Sequence, residues 1–370
     1  MDYLGELMRV LLCGGGSAGH VNPAIAIGET ILRNEPQSQI AYVTTVAGIE
    51  NKLVNYKKYS INIKGLKRNF SPSNIKVVFL TLEAIKKSKQ IINEFSPDII
   101  VGTGGYATYP VIFAGHKMGI KTVLHESNVV PGKTIKLLQN KADMVFTNFA
   151  ESREYFRKKE KVLHVGNPLR HGFNAYNKSD VKNALGIKEK YVVLCYGGSL
   201  GAEKINMSAI GVIENFIKYQ KDVRLILATG GREYHSVMQI IKHKSLDKLK
   251  NITIVDYIYD MPEKMAVADV VVSRAGAMTI SELAASKKCS ILIPSPNVAN
   301  NHQLKNAQAL EKNDAAIVIT EDRSYLLTEV LKDLLNDQDR REIMSENINK
   351  FYLPNANRDI YITIKELIYS

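Results

Sequence analysis

Two glycine-rich turns carry most of the chemistry that can be read from this chain. The first, Gly14-Gly15-Gly16-Ser17-Ala18-Gly19-His20, follows the apolar run Arg9–Cys13 and precedes the helical pattern Ile25, Gly28, Ile31, Leu32. The second, Tyr196-Gly197-Gly198-Ser199-Leu200-Gly201-Ala202, follows Tyr191–Cys195 and precedes a helix expected from about Glu203 through Ile217. Leu12, Cys13, Gly15, Gly16, Ser17 and Gly19 all recur 182 positions later. Glycines between a strand and a helix allow positive φ and close approach to a ligand, and the open N–H groups with the helix dipole favour a phosphate or another anion. His20 ends the first turn, where an imidazole can act as a general base; a lone turn histidine also suits a purely structural role. His125 and Glu126 close another apolar run and offer either a second proton carrier or a loop hydrogen-bond network. Glu282, following Arg274-Ala275-Gly276-Ala277-Met278-Thr279 near a helix start, could accept hydrogen bonds from both hydroxyls of a ribose, or be a plain first-turn acid.

Neither turn fits the usual nucleotide motifs. A Walker loop needs Lys and then Ser/Thr after its last glycine, where His20 and Ala202 stand instead. Gly14, Gly16 and Gly19 do spell G-x-G-x-x-G, but Arg33 and Asn34 occupy the place of the ribose-binding acid, and the nearby Glu35 is followed by Pro36. A nicotinamide dehydrogenase is therefore disfavoured. Asp337-Gln338-Asp339, the single D-x-D triplet, sits in a polar helix-rich tail and reads as solvated helix capping. No Cys/His spacing suggests a metal site, so neither metal nor cofactor is expected.

The elements that must position these turns follow from the hydropathy pattern. Strand candidates Ile40–Thr44, Ile99–Gly102, Thr122–Leu124, Met144–Thr147 and Val162–Val165 alternate with helix-like stretches. Arg224–Thr229, Ile252–Val255, Val270–Ser273, Ser290–Ile293 and Ala316–Ile319 do the same in the second half. Short β-branched runs alternating with helices imply α/β architecture, with two doubly wound parallel sheets facing across a cleft. A boundary is expected near Gly166–His171, giving domains 1–168 and 169–354, and a final helix, Asn357–Ile368, is expected to pack back on the first domain.

The chain has 370 residues, 45% hydrophobic and 23% charged, enough for two or three cored domains and unlike disordered or disulfide-stapled classes. Cys13, Cys195 and Cys289, each in an apolar run, read as reduced core residues. The N-terminal stretch lacks a basic n-region, and the uncharged Ile99–His116 is broken by Pro110 and several glycines, so a cytoplasmic protein without a transmembrane helix is expected. The formal charge of +12 lies wholly in residues 1–200, with 27 basic and 15 acidic side chains against 22 of each in the rest. Lys52 to Lys89 alone holds ten Lys/Arg and one Glu, interleaved with Leu66, Phe70, Val78, Phe79 and Leu80. This is either a solvated face or a surface for anionic lipid; no nucleic-acid-binding signature accompanies it.

With these motifs placed, the chain resembles glycosyltransferases of the GT-B architecture, two facing Rossmann-like domains, and within them family 28. The signatures are GGGSAGHVNPAIA, GTGGYATYP, HESNVVPGKTIKLL, GNPLR, YGGSLGAEKIN, DYIYDM, SRAGAMTISELAA and NNHQLKNA, from about Met8 to beyond Ala307. Ser127 and Leu200 stand where glutamine is more usual, and residues 1–7 look like an extension. The resemblance implies an inverting transfer of N-acetylglucosamine from UDP-N-acetylglucosamine to the 4-hydroxyl of the muramyl sugar of lipid I, giving lipid II. It implies His20, Glu126 and Asn128 as catalytic candidates, with Asn128 also at the donor, Ser17, Ala18 and Gly19 binding substrate, and Tyr106 on the acceptor side. Arg170 and Ser199 are implied at the diphosphate, Ile258 at uracil, Glu282 at ribose, Ala277, Met278, Thr279, Ile280 and Ser281 at the nucleotide, and Gln303 at the donor sugar. Such an enzyme would sit peripherally on the cytoplasmic face of the bacterial inner membrane, held by Lys52–Lys89 with Lys133, Lys136 and Lys141. A UDP-N-acetylglucosamine 2-epimerase is the alternative on the same fold, and a non-catalytic sugar-nucleotide sensor the alternative outside enzymes.

Overall fold

Apolar runs of four to seven residues, each ended by glycine or a polar turn, become parallel strands because helices cover both faces of the sheets they form. The computed structural model describes residues 7–65, 73–298 and 301–370. Leu66, Lys67, Arg68 and Phe70 of the basic segment, residues 1–6, and Asn300 lie outside the described residues. The chain divides into two units, Met1–Arg170 with Leu353–Ser370, and His171–Tyr352.

In the first unit the order is β1 (Arg9–Cys13), α1 (Ala18–Asn34), β2 (Gln39–Thr45), α2 (Glu50–Leu53), β3 (Lys57–Ile61), α3 (Ser73–Phe95), β4 (Ile99–Gly102), α4 (Thr108–Lys117), β5 (Lys121–Glu126), α5 (Lys133–Leu138), β6 (Met144–Thr147) and β7 (Val162–His164). The strands pair in parallel as β3-β2-β1-β4-β5-β6-β7. Period-two alternation splits β1 cleanly. Leu11 and Cys13 pack under α3, α4 and α5 through Ala84, Ile91, Ile112 and Ile135, while Val10 and Leu12 pack under α1 through Val21, Ile27 and Ile31. Each fully buried aliphatic side chain contributes roughly 1.5–3 kcal/mol.

The second unit runs α6 (Lys178–Ala184), β8 (Tyr191–Tyr196), α7 (Glu203–Asn215), β9 (Val223–Ala228), α8 (Tyr234–His243), β10 (Ile252–Val255), α9 (Met261–Val267), β11 (Val270–Ser273), α10 (Ala277–Ala285), β12 (Ser290–Leu292), α11 (His302–Glu311), β13 (Ile317–Val318), α12 (Leu327–Asn336) and α13 (Gln338–Asn349). Its parallel sheet has the order β10-β9-β8-β11-β12-β13. In both sheets the winding reverses after the strand that carries a glycine turn, between β1 and β4 and between β8 and β11. Ligands of open α/β sheets bind at this switch point, outside the strand C-termini.

Two local readings change and a third holds. Lys57–Ile61 is an edge strand inside the basic segment, its Lys57, Lys58 and Ser60 outward and Ile61 buried; lysines on an edge discourage further pairing. The helix expected to reach Ile217 ends at Asn215, because Phe216 (φ −138°, ψ −64°) leaves helical geometry before a separate turn at Ile217–Tyr219. Asp337 caps α13, its carboxylate accepting from the Arg340 N–H at 2.9 Å, as the capping reading of the D-x-D triplet expects. Among the described residues no helix is long and apolar enough to cross a membrane.

The last helix, α14 (Ala356–Tyr369), packs on α1 and buries Ile360 and Ile364 in the same core as Val21 and Ile31. It is latched at Glu35, whose Oε1 accepts from Tyr361 Oη at 2.8 Å and Lys365 Nζ at 2.5 Å. The Lys365 hydrogen bond, then that of Tyr361, holds the Glu35 carboxyl below its ordinary value. A depressed folded-state value contributes stability that is present above the unfolded carboxyl pKa of about 4.3 and is lost as pH falls through the lower folded value. Lys365→Met is expected to lower unfolding stability by about 1 kcal/mol at pH 7. In denaturant titrations the gap to the parent should close on acidification below about pH 4; a gap independent of pH would show that the latch is only packing.

Candidate functional site

The first glycine turn is held from beneath by hydroxyls. Tyr42 Oη donates to the Gly14 carbonyl at 2.7 Å, and Thr103 Oγ1 donates to the His20 carbonyl at 2.5 Å. Thr108 Oγ1 donates to the Gly104 carbonyl at 2.7 Å, and Gly15 N–H reaches the same carbonyl at 3.3 Å. The turn after β1 is thus sewn to the turn after β4. Gly16 has φ +90° and Gly104 φ +103°, conformations that glycine adopts without strain. Ser17 is the N-cap of α1 with Ala18 and Gly19 in its first turn, and the Tyr106 ring lies over Gly16, where a β-carbon would stand 3.1 Å from it.

His20 is fixed by the same device. Its Nδ1 lies 3.2 Å from the Gly15 carbonyl and 3.3 Å from Ser17 Oγ. A carbonyl only accepts, so Nδ1 carries the proton and Nε2 keeps its lone pair. The other edge of the ring packs on Gly104, whose added β-carbon would sit 2.8 Å from Cδ2 and 3.2 Å from Nε2. Burial lowers the imidazole pKa below its usual range, partly opposed by the charge of Glu126 and by the Gly15 carbonyl.

Glu126 ends β5 as a satisfied carboxylate. Oε1 accepts from Asn128 N–H at 2.8 Å and Asn128 Nδ2 at 3.0 Å, and Oε2 accepts from Gly132 N–H at 2.8 Å. His20, Glu126 and Asn128 are therefore gathered at the strand ends of one sheet. His125 is separate: fully buried, its Nε2 donates to the Gly166 carbonyl at 3.0 Å, and burial pushes its pKa down to about 4. It is a structural tie to the chain leading out of β7. Arg170 lies elsewhere on the unit, with Nε 3.2 Å from Glu29 Oε1 beside a cavity of about 440 Å³ that Tyr56 and Arg33 also line. Sequence reasoning missed the threonines and the buried Glu50, whose Oε1 accepts from the Thr45 N–H at 2.9 Å beneath Gly15. The apolar–Gly-Thr-Gly-Gly pattern at Val101–Gly105 was the available signal for Thr103.

In the second unit, Gly198 has φ +90°, as Gly16 does at the matching place, and Gly201 has φ +81°. The two copies then diverge. Residues 18–20 are already helical, whereas 200–202 form a longer turn closed by Gly201 N–H to the Gly198 carbonyl at 3.0 Å. That N–H, expected in an anion cradle, is consumed within the turn. The reason is packing: a β-carbon on Gly201 would sit 2.1 Å from the Thr229 carbonyl, against the turn after β9. Ser199 and the N-terminal amides of α7 remain at the strand ends.

Across the switch point, α10 starts after Gly276 without a side-chain cap. Ala277, Met278 and Ile280 are buried in it, Thr279 lies among them, and Ser281 is only 9% exposed. Glu282 is the sixth helical residue and 7% exposed, so the plain first-turn acid reading does not hold. Arg274 braces the approach, with Nη1 donating to the Ile293 carbonyl at 3.0 Å and Nη2 paired to Glu321 at 2.5 Å. Ile258 is buried between Tyr257 and Tyr259, whose rings meet edge-to-face at 4.9 Å. Gln303 Oε1 accepts from the Ser295 N–H at 2.9 Å, which draws the start of α11 to the loop after β12. Among the described residues no group of His, Cys, Asp and Glu side chains is assembled as metal ligands.

Comparison with known proteins agrees with this arrangement. The glycosyltransferase family 28 N-terminal domain matches residues 10–147 and its C-terminal domain residues 192–359. The UDP-N-acetylglucosamine–N-acetylmuramyl-(pentapeptide) pyrophosphoryl-undecaprenol N-acetylglucosamine transferase of Acetivibrio thermocellus is 39% identical over 367 residues, 98% of each chain. The crystal structure of Acinetobacter baumannii MurG superposes with TM-score 0.68 at 22% identity, over 98% of this chain and all of that one. UDP-GlcNAc 2-epimerase from Neisseria meningitidis shares the fold, with TM-score 0.66 at 15% identity over 97% of this chain and all of that one. Fold alone would not separate transferase from epimerase, but whole-length sequence identity does: the chain belongs to glycosyltransferase family 28 and, within it, to the MurG N-acetylglucosaminyltransferases.

Proposed function

We propose that this transferase moves N-acetylglucosamine from UDP-N-acetylglucosamine to the 4-hydroxyl of the muramyl sugar of lipid I, making lipid II at the cytoplasmic face of the membrane. The observation that carries the mechanism is the fixed His20 tautomer, with Nδ1–H tied to the Gly15 carbonyl and Nε2 able to accept a proton. The acceptor oxygen attacks the anomeric carbon from the face opposite the diphosphate, its proton passes to Nε2, and the bond to the diphosphate breaks with its electron pair on UDP. The configuration inverts to a β-1,4 bond. Glu126, held by Asn128 and Gly132, stabilises the imidazolium that forms. In the second unit, Ser199 and the start of α7 receive the diphosphate, while Glu282 takes the ribose hydroxyls. The α10 backbone from Ala277 to Ser281 and Ile258 meet the nucleotide, and Gln303 the sugar.

A membrane-embedded acceptor requires a surface that settles on lipid. Val78, Phe79 and Leu82 are 55%, 64% and 59% exposed on one side of α3, with Lys86 and Lys89 following on the same helix, while Ala84, Ser88 and Ile91 face the core. On α5, which packs against α4 as α3 does, Leu137 is 65% exposed beside Lys133 and Lys136. Apolar side chains flanked by lysines suit anionic lipid, each cation contributing about 1 kcal/mol near such a surface.

The first test is UDP release by purified protein with and without a lipid I analogue, and with excess chelator. Release only with acceptor, unchanged by chelator, is expected; interconversion of the sugar nucleotide by itself would transfer the chain to the epimerase reading. His20→Ala should lower kcat by roughly 10²–10⁴-fold. The acid limb of kcat/KM should titrate below the ordinary imidazole value of about 6.5. Glu126→Gln, which removes the charge that raises the imidazole pKa, should move the limb lower still; a limb unmoved by that change would dismiss the pair. Phosphatidylglycerol-containing vesicles should float the protein more than phosphatidylcholine vesicles do. Phe79→Ser with Leu82→Ser, or Lys86→Glu with Lys87→Glu, should weaken flotation severalfold, and no preference for anionic vesicles would remove the membrane reading.

A further inference from the structure

Tyr196 closes β8 only 5% exposed, yet its phenol ends among polar groups. Strand alternation puts it on the face of Val192 and Leu194, opposite Val193 and Cys195, which pack into the core beneath α7 and α12. Parallel pairing sets it beside Ser273, the last residue of β11, from which the chain turns into α10. Ser273, Thr279 and the Glu282 carboxylate are its polar neighbours. The Tyr196 hydroxyl is itself buried and closes no hydrogen bond among the described residues, although the Ser273 and Thr279 hydroxyls lie near it. A buried donor without an acceptor disfavours folding. Of its polar neighbours the Glu282 carboxylate is the charged acceptor, and a hydrogen bond to it is stronger than one to the Ser273 or Thr279 hydroxyl.

We infer that Tyr196 is a positioning residue for the donor: its O–H donates to the Glu282 carboxylate while that carboxylate accepts both hydroxyls of the donor's ribose. The inference rests on the ribose role proposed above for Glu282. A carboxylate offers about four lone-pair sites, so two ribose hydroxyls leave room for a donor arriving from the sheet. Three converging donors fix the plane of the carboxylate, which a single rotatable Glu side chain on α10 cannot do for itself. Burial and the Glu282 charge both hold the phenol well above its usual pKa, so it keeps the proton it gives. Tyr196 then tunes recognition of a ribose 2′-hydroxyl without touching the sugar.

The test compares UDP-N-acetylglucosamine with its 2′-deoxyribose counterpart, in steady-state kinetics with a lipid I analogue. The parent enzyme should prefer the ribose donor by about tenfold or more in kcat/KM. Tyr196→Phe, which keeps the ring, should raise KM for the ribose donor by about tenfold and leave kcat within about twofold, so that the preference shrinks. In a Glu282→Gln background the same change should have no further effect on the preference. If the parent shows no preference, the ribose role of Glu282 falls and this inference with it. If the parent discriminates and Tyr196→Phe retains the full preference, or weakens both donors equally, Tyr196 is merely structural and only this inference falls. Tyr196→Met, lacking the hydroxyl but keeping apolar volume, should reproduce the lost preference should the Phe variant unfold; unfolding of both overturns the inference.

Discussion

The hydrogen bond between His20 Nδ1 and the Gly15 carbonyl ties an ionisable side chain to the turn that carries it. With that bond made, the proton is confined to one nitrogen and the other is directed away from the turn. The constraint propagates outward. Gly15 can offer its carbonyl only if the turn keeps Gly16 at φ +90°, and the turn is kept by Tyr42 and Thr103 from below and by Gly104 alongside. Gly104 in turn must lack a β-carbon for the imidazole to lie against it. Sheet order, glycine placement and imidazole tautomer are one linked requirement, met at the point where the winding of the sheet reverses.

The two halves solve related problems with the same opening residues and different continuations. Gly16 and Gly198 share a backbone conformation, but α1 begins immediately after its turn whereas α7 begins later. An early helix start puts His20 in its first turn, where the positive end of the helix dipole disfavours imidazolium, reinforcing the effect of burial on the ring. A later start leaves space for a wider turn around Ser199. Duplicated sequence thus supports divergent chemistry through a shift of the helix start.

The strands and both glycine turns were legible because apolar runs bounded by glycine leave little choice in a doubly wound sheet. Lys57–Ile61 was not, since its lysines gave it the look of a charged surface, which an edge strand also is. The role of Thr103 was overlooked for another reason: it acts on a backbone group far from its own motif, and hydropathy does not report which carbonyl a buried hydroxyl will meet. Glu282 could be singled out as a carboxylate near a helix start. Only the structure separates a buried second-turn acid from an exposed cap.

Charge and burial are also divided between the two faces of the first unit. Under α1 the core is completed by α14, latched to Glu35, so that face is closed by the chain's own C-terminal helix. The opposite face carries α3, α4 and α5 among the described residues, and the outer side of α3 keeps Val78, Phe79 and Leu82 in solvent. Lysines near this face lie over aromatic rings, Lys141 over Phe113 at 5.3 Å and Lys136 over Tyr155 at 5.4 Å, which holds cations close to apolar surface while their heads stay hydrated. A single α14-like helix laid on that side would bury these residues. That the closing helix goes to α1 instead is what lets one sheet keep a sealed face and an opposite face with apolar and basic side chains in solvent, without disturbing the turn between them.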